Sequence, residues 1–397
     1  MRITYFADVR FPLERANGIQ TMETCHAMAT RGHVVDLIVR PDTHSPARDP
    51  FAYYGLPCEP KLRIERAPVA GPAAARRLGY LAFAMGRALG AARAHVIVTR
   101  DLGVAALLVG VPRRLRPPVV YESHGYAPEV AAALPDLVAT ATRPSRRKLR
   151  RLEAREARVW RGADGYVTIT EALRADLDAR HGARACAAVI PDGARIEGTR
   201  GPGAADPSNA DAVVAYAGHL YAWKGVDVLL EALARVPRAR GLVVGGHVEE
   251  PDLGRLKALA VRLGIGDRIT FTGMVEPSRV AGLLRQANVL ALPNPASAIS
   301  TRFTSPLKLF EYMAAGRPIV ATDLPSIREV LRHEVNALLV APGDAAAMAG
   351  AIERLIADPG LGARLAAAAL DAAPEYSWSR RAERLERLLT DVIAARR

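Results

Sequence analysis

The segment 303–323, FTSPLKLFEYMAAGRPIVATD, contains residue types that could bind a phosphorylated ligand. Ser305 and Pro306 predict the N-cap and the first position of a helix, and Gly316 predicts its left-handed C-cap. Lys308 then falls in the first turn, where the helix dipole disfavours a cation unless an anion binds there. The segment therefore predicts a phosphate site at a helix N-terminus.

Glu311 lies one turn after Lys308, on the same side of this predicted helix. Its carboxylate can accept hydrogen bonds from hydroxyl groups. A phosphate site followed by a carboxylate that binds hydroxyls suggests a sugar nucleotide as the ligand. The alternative is an ordinary amphipathic helix, in which Leu307, Phe310 and Ala314 face a core and the Lys/Glu pair lies in solvent.

Two loops near the start of the chain carry further candidates. Asn17 and Gly18 lie between a predicted strand and a predicted helix that covers 20–30. A glycine there lets backbone N–H groups approach a ligand, although Asn-Gly is also common in ordinary turns. His124 follows a buried strand, in YESHGYAP. Because ligands of parallel α/β sheets bind beyond the carboxyl ends of strands, His124 is a candidate binding or catalytic residue, with a structural histidine as the alternative.

The composition predicts two domains and anionic partners. A chain of 397 residues is too long for one comfortable core. Lys plus Arg total 54 against 41 Asp plus Glu, which gives a formal charge of +13 and favours nucleotides, anionic lipid surfaces or nucleic acid. Abundant arginine and alanine also fit a high genomic GC content. Cys25, Cys58 and Cys186 have no metal or redox spacing and fit unpaired thiols in a reducing cytoplasm.

A cytoplasmic location is expected from the absence of a targeting pattern. MRITYFAD opens as a strand rather than as a secretory signal, and no segment reaches the ~18 apolar residues of a membrane span. The densely basic segment 143–161 has apolar residues at helical spacing, which favours a solvated helix face. Attraction to anionic lipid, on the inner face of the membrane, is the alternative. No recognition motif for nucleic acid accompanies the charge, so no nucleic-acid partner is expected.

The signals for strands and helices form two series separated by a linker. The first series predicts an N-terminal domain over 1–196, and EGTRGPGAADPSNAD, which has no hydrophobic period, predicts a linker over 197–211. The second series predicts a domain over 212–375. The amphipathic helix in 376–397 is expected to return toward the N-terminal domain. Two Rossmann-like α/β domains that face each other across a cleft are the expected architecture.

With these elements placed, the chain resembles the retaining GT-B glycosyltransferases of family 4 over nearly its whole length. The motifs that carry the resemblance are, in chain order, NGIQ, YESHG, ITEAL, IPDG, YAGHLYAWKGVDVLLEAL, VVGG, ITFTGMV and SPLKLFEYMAAGRPIVATDLP. The resemblance implies that a UDP-sugar or GDP-sugar binds mainly to the C-terminal domain and a hydroxyl acceptor to the N-terminal domain. It also implies that no metal or other cofactor is needed, because protein cations and a helix N-terminus bind the diphosphate.

The resemblance also assigns roles to individual residues. The residues implied near the diphosphate are Gly18, Lys224, Thr304, Ser305, Leu307 and Lys308. It places Glu311 at the ribose hydroxyls, Met274 and Val275 near the nucleobase, and His124, as the catalytic-site residue, near the transferred sugar. Lys224 gains independent support because it is predicted, like Lys308, to open a helix, where a cation is disfavoured without an anion. An exposed first-turn lysine is the alternative for Lys224.

Two positions depart from the family pattern. The first of the family's paired glutamates would be residue 303, where this chain has Phe303, so the donor sugar stays open. An arginine commonly follows the glycine after the first strand of the C-terminal domain, where this chain has His219. Lys224, with Arg302 or Lys308, would then neutralise more of the diphosphate charge. His219, Arg302 and Phe303 are therefore additional candidates for contacts with the sugar or the phosphates.

The expected activity is retaining transfer of a hexose or N-acetylhexosamine to a hydroxyl acceptor in cell-envelope polysaccharide, glycolipid or secondary-metabolite assembly. The acceptor would be a lipid-linked sugar, a glycan or a small molecule. The expected mechanism is front-face attack, in which the protein positions the reactants and stabilises the departing diphosphate. The alternatives are a GT-B sugar-nucleotide epimerase, which needs acid/base carboxylates, and a non-catalytic basic protein that binds anionic surfaces.

Overall fold

The computed structural model describes residues 1–90, 94–137, 142–196, 211–247, 250–302 and 305–396. The chain forms two compact units, each built around a parallel sheet. The first unit contains Met1–Ala132, Arg143–Asp192 and Trp378–Arg397, and the second contains Ala133–Thr142 and Gly193–Ser377. The predicted α/β class, with two Rossmann-like domains, is confirmed.

The first unit contains a seven-stranded sheet in the order β3-β2-β1-β4-β5-β6-β7. Its strands are β1 (Arg2–Arg10), β2 (Val34–Arg40), β3 (Leu62–Arg66), β4 (Val96–Thr99), β5 (Val119–Ser123), β6 (Gly165–Thr168) and β7 (Ala187–Val189). The helices of this part of the chain are α1 (Ala16–Thr30), α2 (Pro50–Tyr54), α3 (Ala73–Leu89), α4 (Leu102–Leu108), α5 (Ala127–Leu137), α6 (Arg146–Gly162) and α7 (Glu171–His181), with a 3₁₀ turn at Arg113–Leu115.

The second unit contains a six-stranded sheet in the order β10-β9-β8-β11-β12-β13. Its strands are β8 (Ala212–Ala217), β9 (Ala239–Val244), β10 (Ile269–Phe271), β11 (Val289–Leu292), β12 (Ile319–Thr322) and β13 (Leu338–Val340). Its helices are α8 (Val226–Ala234), α9 (Pro251–Arg262), α10 (Pro277–Leu284), α11 (Ala298–Arg302), α12 (Leu307–Ala314), α13 (Pro325–Arg328), α14 (Ala345–Ala357) and α15 (Pro359–Ala372). The 3₁₀ turns of this unit are Ala222–Lys224, Gly266–Arg268 and Ala373–Tyr376.

Each sheet has a switch point at which the winding of the chain reverses. The reversal lies between β1 and β4 in the first unit and between β8 and β11 in the second. All strand pairs in both sheets are parallel, as Val98 of β4 beside Tyr5 of β1 and Val289 of β11 beside Val214 of β8 illustrate. Ligands of such sheets bind beyond the carboxyl ends of the strands at these reversals. The candidate residues that follow β5, β8 and β10 lie at the carboxyl ends of their sheets, and β8 is one of the two strands at the reversal of the second sheet.

The last helix, α16 (Trp378–Ala394), belongs to the first unit. It packs against α1 and β6, and it buries Leu385, Leu389 and Val392 in the core that also contains Met22 of α1. Because these apolar residues recur at helical spacing, one face of α16 completes the first core. The groups defined by contacts differ from the predicted boundaries, because 133–137 and 193–196 fall in the second unit rather than the first.

Three local predictions were wrong. Pro306, in extended conformation, is the N-cap of α12, so Ser305 lies one position before the cap. The helix expected from residue 20 begins at Ala16, because the ANG sequence continues the helix instead of forming a turn, and Gly18 therefore lies in its first turn. Lys224 lies in a 3₁₀ turn before α8 rather than in the helix, since Gly225, with a φ of 73°, separates the two.

Candidate functional site

The side chain of Lys308 is a buried cation beside the carboxyl end of β8. Lys308 is 7% exposed, and its Nζ has no hydrogen-bond partner within the part of the chain that the structure describes. The Nζ lies 4.0 Å from the ring centroid of Tyr216. A Cβ added to Gly218 would lie 3.8 Å from the same nitrogen. Because a buried ammonium without an acceptor is unfavourable, this position favours a bound anion.

Lys224 is a second cation at this edge of the sheet. Its Nζ lies 3.6 Å from the ring centroid of Trp223, and within the described ranges its ammonium makes no hydrogen bond or ion pair. Burial lowers the pKa of Lys224 to about 7. Burial and the neighbouring charge of Lys224 lower the pKa of Lys308 well below its ordinary value, while Glu311 opposes this shift. The two lysines therefore repel each other when protonated, and an anion between them would relieve the repulsion.

Two tyrosines hold the loop after β8. The hydroxyl of Tyr216 donates a hydrogen bond to the carbonyl of His219 at 2.7 Å. The hydroxyl of Tyr312 accepts a hydrogen bond from the N–H of Ala217 at 2.8 Å. Since Tyr312 lies in α12, four residues after Lys308, the helix that carries the lysine also fixes the end of β8.

The loops after β9 and β10 approach the loop after β8. A Cβ on Gly245 would lie 2.4 Å from the carbonyl oxygen of Gly218, so only a glycine permits this approach. The N–H of Gly245 donates to the hydroxyl of Thr272 at 3.1 Å. In the loop that follows Thr272, Met274 is 39% exposed and Val275 packs against the core. The residues predicted to contact the nucleobase thus lie on the loop after β10. This loop follows Thr272, whose hydroxyl is bonded to Gly245, and Gly245 packs against Gly218.

His219 is accounted for by protein contacts. Its Nδ1 pairs with one carboxylate oxygen of Glu250, and the other oxygen accepts from the N–H of Leu220 at 3.0 Å. The His219 ring stacks on Tyr221 with centroids 5.2 Å apart, and Tyr221 in turn stacks on Trp223. These contacts explain the position of His219 without a ligand, so its contact with a sugar or phosphate gains no support here.

The N-terminus of α12 has no side-chain cap among the described residues. Ser305 and Leu307 are buried beside it. The N–H of Leu309 donates to the carbonyl of Pro306 at 2.8 Å. Among the described residues, the N–H groups of Leu307 and Lys308 therefore remain for a ligand or water. Glu311 is half-buried one turn further along α12, close enough to Lys308 for their charges to interact. The predicted phosphate site at this helix N-terminus thus brings together a buried lysine, uncapped N–H groups and a carboxylate.

The structure does not test the predicted ligand contacts of three residues, Arg302, Phe303 and Thr304. Phe303 and Thr304 lie outside the described residues. Arg302 ends α11 and is half-buried.

The glycine at position 18 has a structural explanation. A Cβ there would lie 2.2 Å from the carbonyl oxygen of Leu13 and 2.6 Å from the hydroxyl of Tyr54. The N–H of Gly18 donates to the carbonyl of Arg15 at 2.8 Å. The close packing of α1 against this loop therefore accounts for the glycine, and the implied contact of Gly18 with a phosphate stays a prediction.

His124 follows β5 in the first unit. Its Nε2 lies 2.6 Å from Oε1 of Glu122, a fully buried residue of β5. The same oxygen accepts from Nε2 of Gln20 at 2.7 Å and from Nη2 of Arg381 at 2.5 Å. The side chain of His124 is 19% exposed. Burial and the charge of Arg100 lower its pKa below the ordinary value, although Glu122 opposes them, so the ring is neutral near pH 7.

Arg381 is a site residue that the sequence reasoning missed. Its side chain is 2% exposed and donates from Nη1 to the carbonyls of Ile190 and Pro191 at 2.8 and 2.7 Å. Its Nε donates to the hydroxyl of Thr24 at 3.1 Å. One signal was present, because Glu122 lies in an otherwise uncharged strand and a buried carboxylate needs a cation. Its partner could not be found by spacing, since Arg381 comes 259 positions later.

Glu122, His124 and Asp192 together form a group of metal-ligand type. Their ligand atoms lie within 4.8 Å of one another. The guanidinium of Arg381 bonds to Glu122, and its Nη1 lies 3.8 Å from Oδ1 of Asp192. A protein cation thus already offsets part of the negative charge of this group, and the same guanidinium would repel a metal ion.

A cavity of about 340 Å³ lies elsewhere in the first unit. Trp160, His181 and Arg184 are among its lining residues. It adjoins Asp164 and Cys186, which precede β6 and β7, so it lies at the amino ends of those strands. None of the candidate residues predicted from the sequence lines it.

Two family models match most of the chain. The model described as "Glycosyl transferase 4-like domain" matches residues 18–193, and the model described as "Glycosyl transferases group 1" matches residues 211–358. The first match covers β2 to β7 of the first sheet, and the second covers β8 to β13. The resemblance suggested by the sequence motifs is therefore confirmed by both halves of the chain.

Relatives and solved structures agree with these models. D-inositol 3-phosphate glycosyltransferase of Xylanimonas cellulosilytica is 33% identical over 218 residues, which is 51% of this chain and 49% of the relative, so the match spans about half of that protein's length. Sucrose-phosphate synthase of Thermosynechococcus elongatus superposes with a TM-score of 0.81 at 21% identity, over 100% of both chains. Anabaena HepE in complex with UDP-glucose superposes with a TM-score of 0.70 at 19% identity, over 98% of this chain and 100% of that one. The chain belongs to the group 1 glycosyltransferases, family 4, and has their GT-B fold.

Proposed function

We propose that this chain is a retaining glycosyltransferase that moves a hexose or an N-acetylhexosamine from a nucleoside-diphosphate sugar to a hydroxyl acceptor. The observation that carries the proposal is the pair formed by Lys224 and Lys308 at the carboxyl edge of the second sheet. Both ammonium groups have lowered pKa values, and no carboxylate forms an ion pair with either among the described residues. A diphosphate supplies the negative charge that this pair lacks.

The surroundings of the two lysines support a diphosphate rather than a simple anion. The loops after β8 and β9 approach each other at Gly218 and Gly245. Because neither glycine has a side chain, space is left beyond the ends of these strands. The uncapped N-terminus of α12 offers N–H groups next to Lys308. Backbone N–H groups and two cations together suit the oxygens of two linked phosphates.

The nucleoside would occupy the residues on either side of this site. Glu311 would accept hydrogen bonds from the ribose hydroxyls, and the loop with Met274 and Val275 would contact the base. The solved complex of HepE with UDP-glucose is a reason to test UDP-sugars before GDP-sugars. The residue at position 303 is a phenylalanine, so recognition of the sugar would rely on other residues than the family's first glutamate.

We propose that the reaction needs no metal ion. In many nucleotide sites Mg²⁺ neutralises the phosphates, and here Lys224 and Lys308 would supply that charge. In the transfer, the bond between the anomeric carbon and the diphosphate oxygen breaks on the face where the acceptor oxygen forms its new bond. The acceptor proton passes to the departing diphosphate. Both lysines would stabilise the charge that develops on the leaving group, which is where electrostatic catalysis is most effective.

The acceptor would bind to the first unit, where His124 would contact the transferred sugar. The chain would act in the cytoplasm, on a lipid-linked sugar, a glycan or a small molecule. One helix of the described chain suits a membrane surface, because α6 exposes Arg146, Arg147, Lys148, Arg150 and Arg151 while it buries Val159 and Trp160. Within the described residues, no helix is both long enough and apolar enough to cross a bilayer.

Turnover of a panel of UDP-sugars and GDP-sugars tests this proposal. Slow hydrolysis of one donor is expected, with release of the sugar in its original anomeric configuration as seen by NMR at early times, and with the same rate in EDTA. An epimeric nucleotide sugar as the product would favour the epimerase alternative. Hydrolysis of none of the donors, with no binding of UDP or GDP in calorimetry, would contradict the proposal. Loss of turnover in EDTA would contradict its metal-free part.

A further inference from the structure

The side chains around His124 fix which of its ring nitrogens carries the proton. Glu122 has its pKa below the ordinary value, because the charge of Arg381 and the bond from His124 outweigh the effect of burial. Its Oε1 therefore belongs to a carboxylate, which only accepts hydrogen bonds. Since Nε2 of His124 lies 2.6 Å from that oxygen, Nε2 must be the protonated nitrogen. The neutral ring then carries a lone pair on Nδ1.

The polarity of the neighbouring bonds is consistent with this assignment. Nη1 of Arg100 donates to Oε1 of Gln20 at 2.6 Å, which turns the amide so that its Nε2 donates to Glu122. Nη2 of Arg381 donates to the same oxygen. All three partners of Oε1 are therefore donors, and the arrangement has no place for an unprotonated Nε2 of His124.

The other ring nitrogen is available to a ligand. Nδ1 of His124 has no bond to any described residue, and it is not among the buried polar atoms that lack a partner. The side chain is 19% exposed, at the carboxyl end of β5. This is the edge of the sheet at which ligands of doubly wound folds bind.

We infer that Glu122 and Arg381 are positioning residues that hold Nε2 of His124 protonated, so that Nδ1 accepts a hydrogen bond from a substrate hydroxyl. The role of the substrate rests on the proposed glycosyl transfer, whereas the state of the ring does not. The last helix contributes to the site through Arg381. This residue of α16 donates hydrogen bonds to the carbonyls of Ile190 and Pro191 and to the carboxylate of Glu122.

The charged groups that face His124 come from four elements. They are Arg100 after β4, Glu122 in β5, Asp192 after β7 and Arg381 in α16. Glu122 and Asp192 both raise the pKa of His124, and Glu122 is also bonded to the ring. Loss of the carboxylate of Glu122 removes one of these two charges, while Asp192, Arg100 and Arg381 remain. The variant Glu122→Gln should therefore lower the pKa of His124. It should also allow the neutral ring to carry its proton on either nitrogen.

NMR of the full chain with ¹⁵N-labelled histidine rings tests the inference without turnover. His124→Gln identifies the resonances of this ring. In the unmodified chain at pH 7.5, we expect Nδ1 to be unprotonated and Nε2 to carry the proton. In Glu122→Gln we expect a population with protonated Nδ1. Glu383→Gln should leave the spectrum of His124 unchanged, because the ion pairs of this half-buried residue of α16 are with Arg380 and Arg387.

The spectrum of the unmodified chain tests the tautomer of His124 even if Glu122→Gln fails to fold. Protonated Nδ1 in the unmodified chain would overturn the inference, and so would an unchanged tautomer in a folded Glu122→Gln variant. Once a donor is known, Glu122→Gln should lower kcat about tenfold or more, with KM for the donor and the affinity for UDP within about twofold. If the unmodified chain does not bind UDP, the proposed function is refuted. The assignment of the proton to Nε2 of His124 would still stand.

Discussion

The Nζ of Lys308 lies 4.0 Å from the ring centroid of Tyr216, and no carboxylate forms an ion pair with it in the described part of the chain. An aromatic face attracts a cation but does not neutralise its charge. The hydroxyl of the same tyrosine is directed to the carbonyl of His219, so the ring is fixed. Lys308 is thus held in place with its charge available to an anion.

Replacement of Lys308 by methionine should stabilise the ligand-free protein. The ammonium is buried without an acceptor, and its removal relieves a cost of about 1–3 kcal/mol in the free energy of unfolding. Lys257→Met, at an exposed position of α9, should change the stability by less than about 0.5 kcal/mol. Thermal unfolding without nucleotide measures both. A destabilised Lys308→Met would mean that the lysine has a structural partner.

Nucleotide binding should weaken as the pH rises. The lysines have lowered pKa values in the free protein, with Lys224 at about 7, and a bound diphosphate would raise them. Affinity is therefore full below the lower of the free-state values and falls as the pH rises through about 7 and beyond, because protons must be taken up on binding. Titration with UDP from pH 6 to 9, in buffers of different ionisation enthalpy, measures this uptake. Affinity that is constant over this range would argue against lowered pKa values for the two lysines.

The carboxylate of Glu311 should discriminate between ribose and deoxyribose. UDP should bind the unmodified chain about tenfold or more tightly than 2′-deoxy-UDP, because a hydroxyl bonded to a carboxylate is lost. In Glu311→Ala the two nucleotides should bind equally, and turnover should be abolished. Glu231→Ala, at an exposed position of α8, is the matched control and should keep the preference. A preference that survives in Glu311→Ala would place the ribose elsewhere.

The basic face of α6 should bind anionic membranes. The exposed residues Arg147 and Arg151 lie one turn apart, and their replacement by glutamate should reduce pelleting with acidic liposomes. The double replacement of Lys257 and Arg262 in α9 changes the net charge equally and should have little effect. Binding should fall with added salt. Equal pelleting of the two double variants would show that the total charge, rather than α6, governs the interaction.

Most of the fold could be predicted from the sequence because the strands are buried on both faces. Runs such as VIVT at β4 and IVAT at β12 are apolar up to a final threonine, and all four residues of each are buried, so such runs predict strands directly. The beginnings of helices were harder. ANG before α1 and SP before α12 fit more than one local structure, and the packing of Gly18 against Leu13 and Tyr54 decided between them only in three dimensions.

The candidate site could be predicted in part, for a related reason. Lys308 and Glu311 are neighbours on one helix, so their spacing revealed them. The hydrogen-bonded residues around His124 come from α1, the loop after β4, β5 and α16, and no local pattern joins them. The bond between His219 and Glu250 likewise crosses 31 positions, which is why His219 was assigned to a ligand rather than to a protein carboxylate.

Calorimetric titration of UDP into the unmodified chain and into Lys224→Met, Lys308→Met and the double variant tests the central claim most directly. Each single variant should lose about tenfold or more in affinity, since each removes a charged hydrogen bond to the diphosphate. The double variant should show no binding, while Lys257→Met binds as the unmodified chain does. Unchanged affinity in a folded double variant would contradict the assignment of Lys224 and Lys308 to the diphosphate.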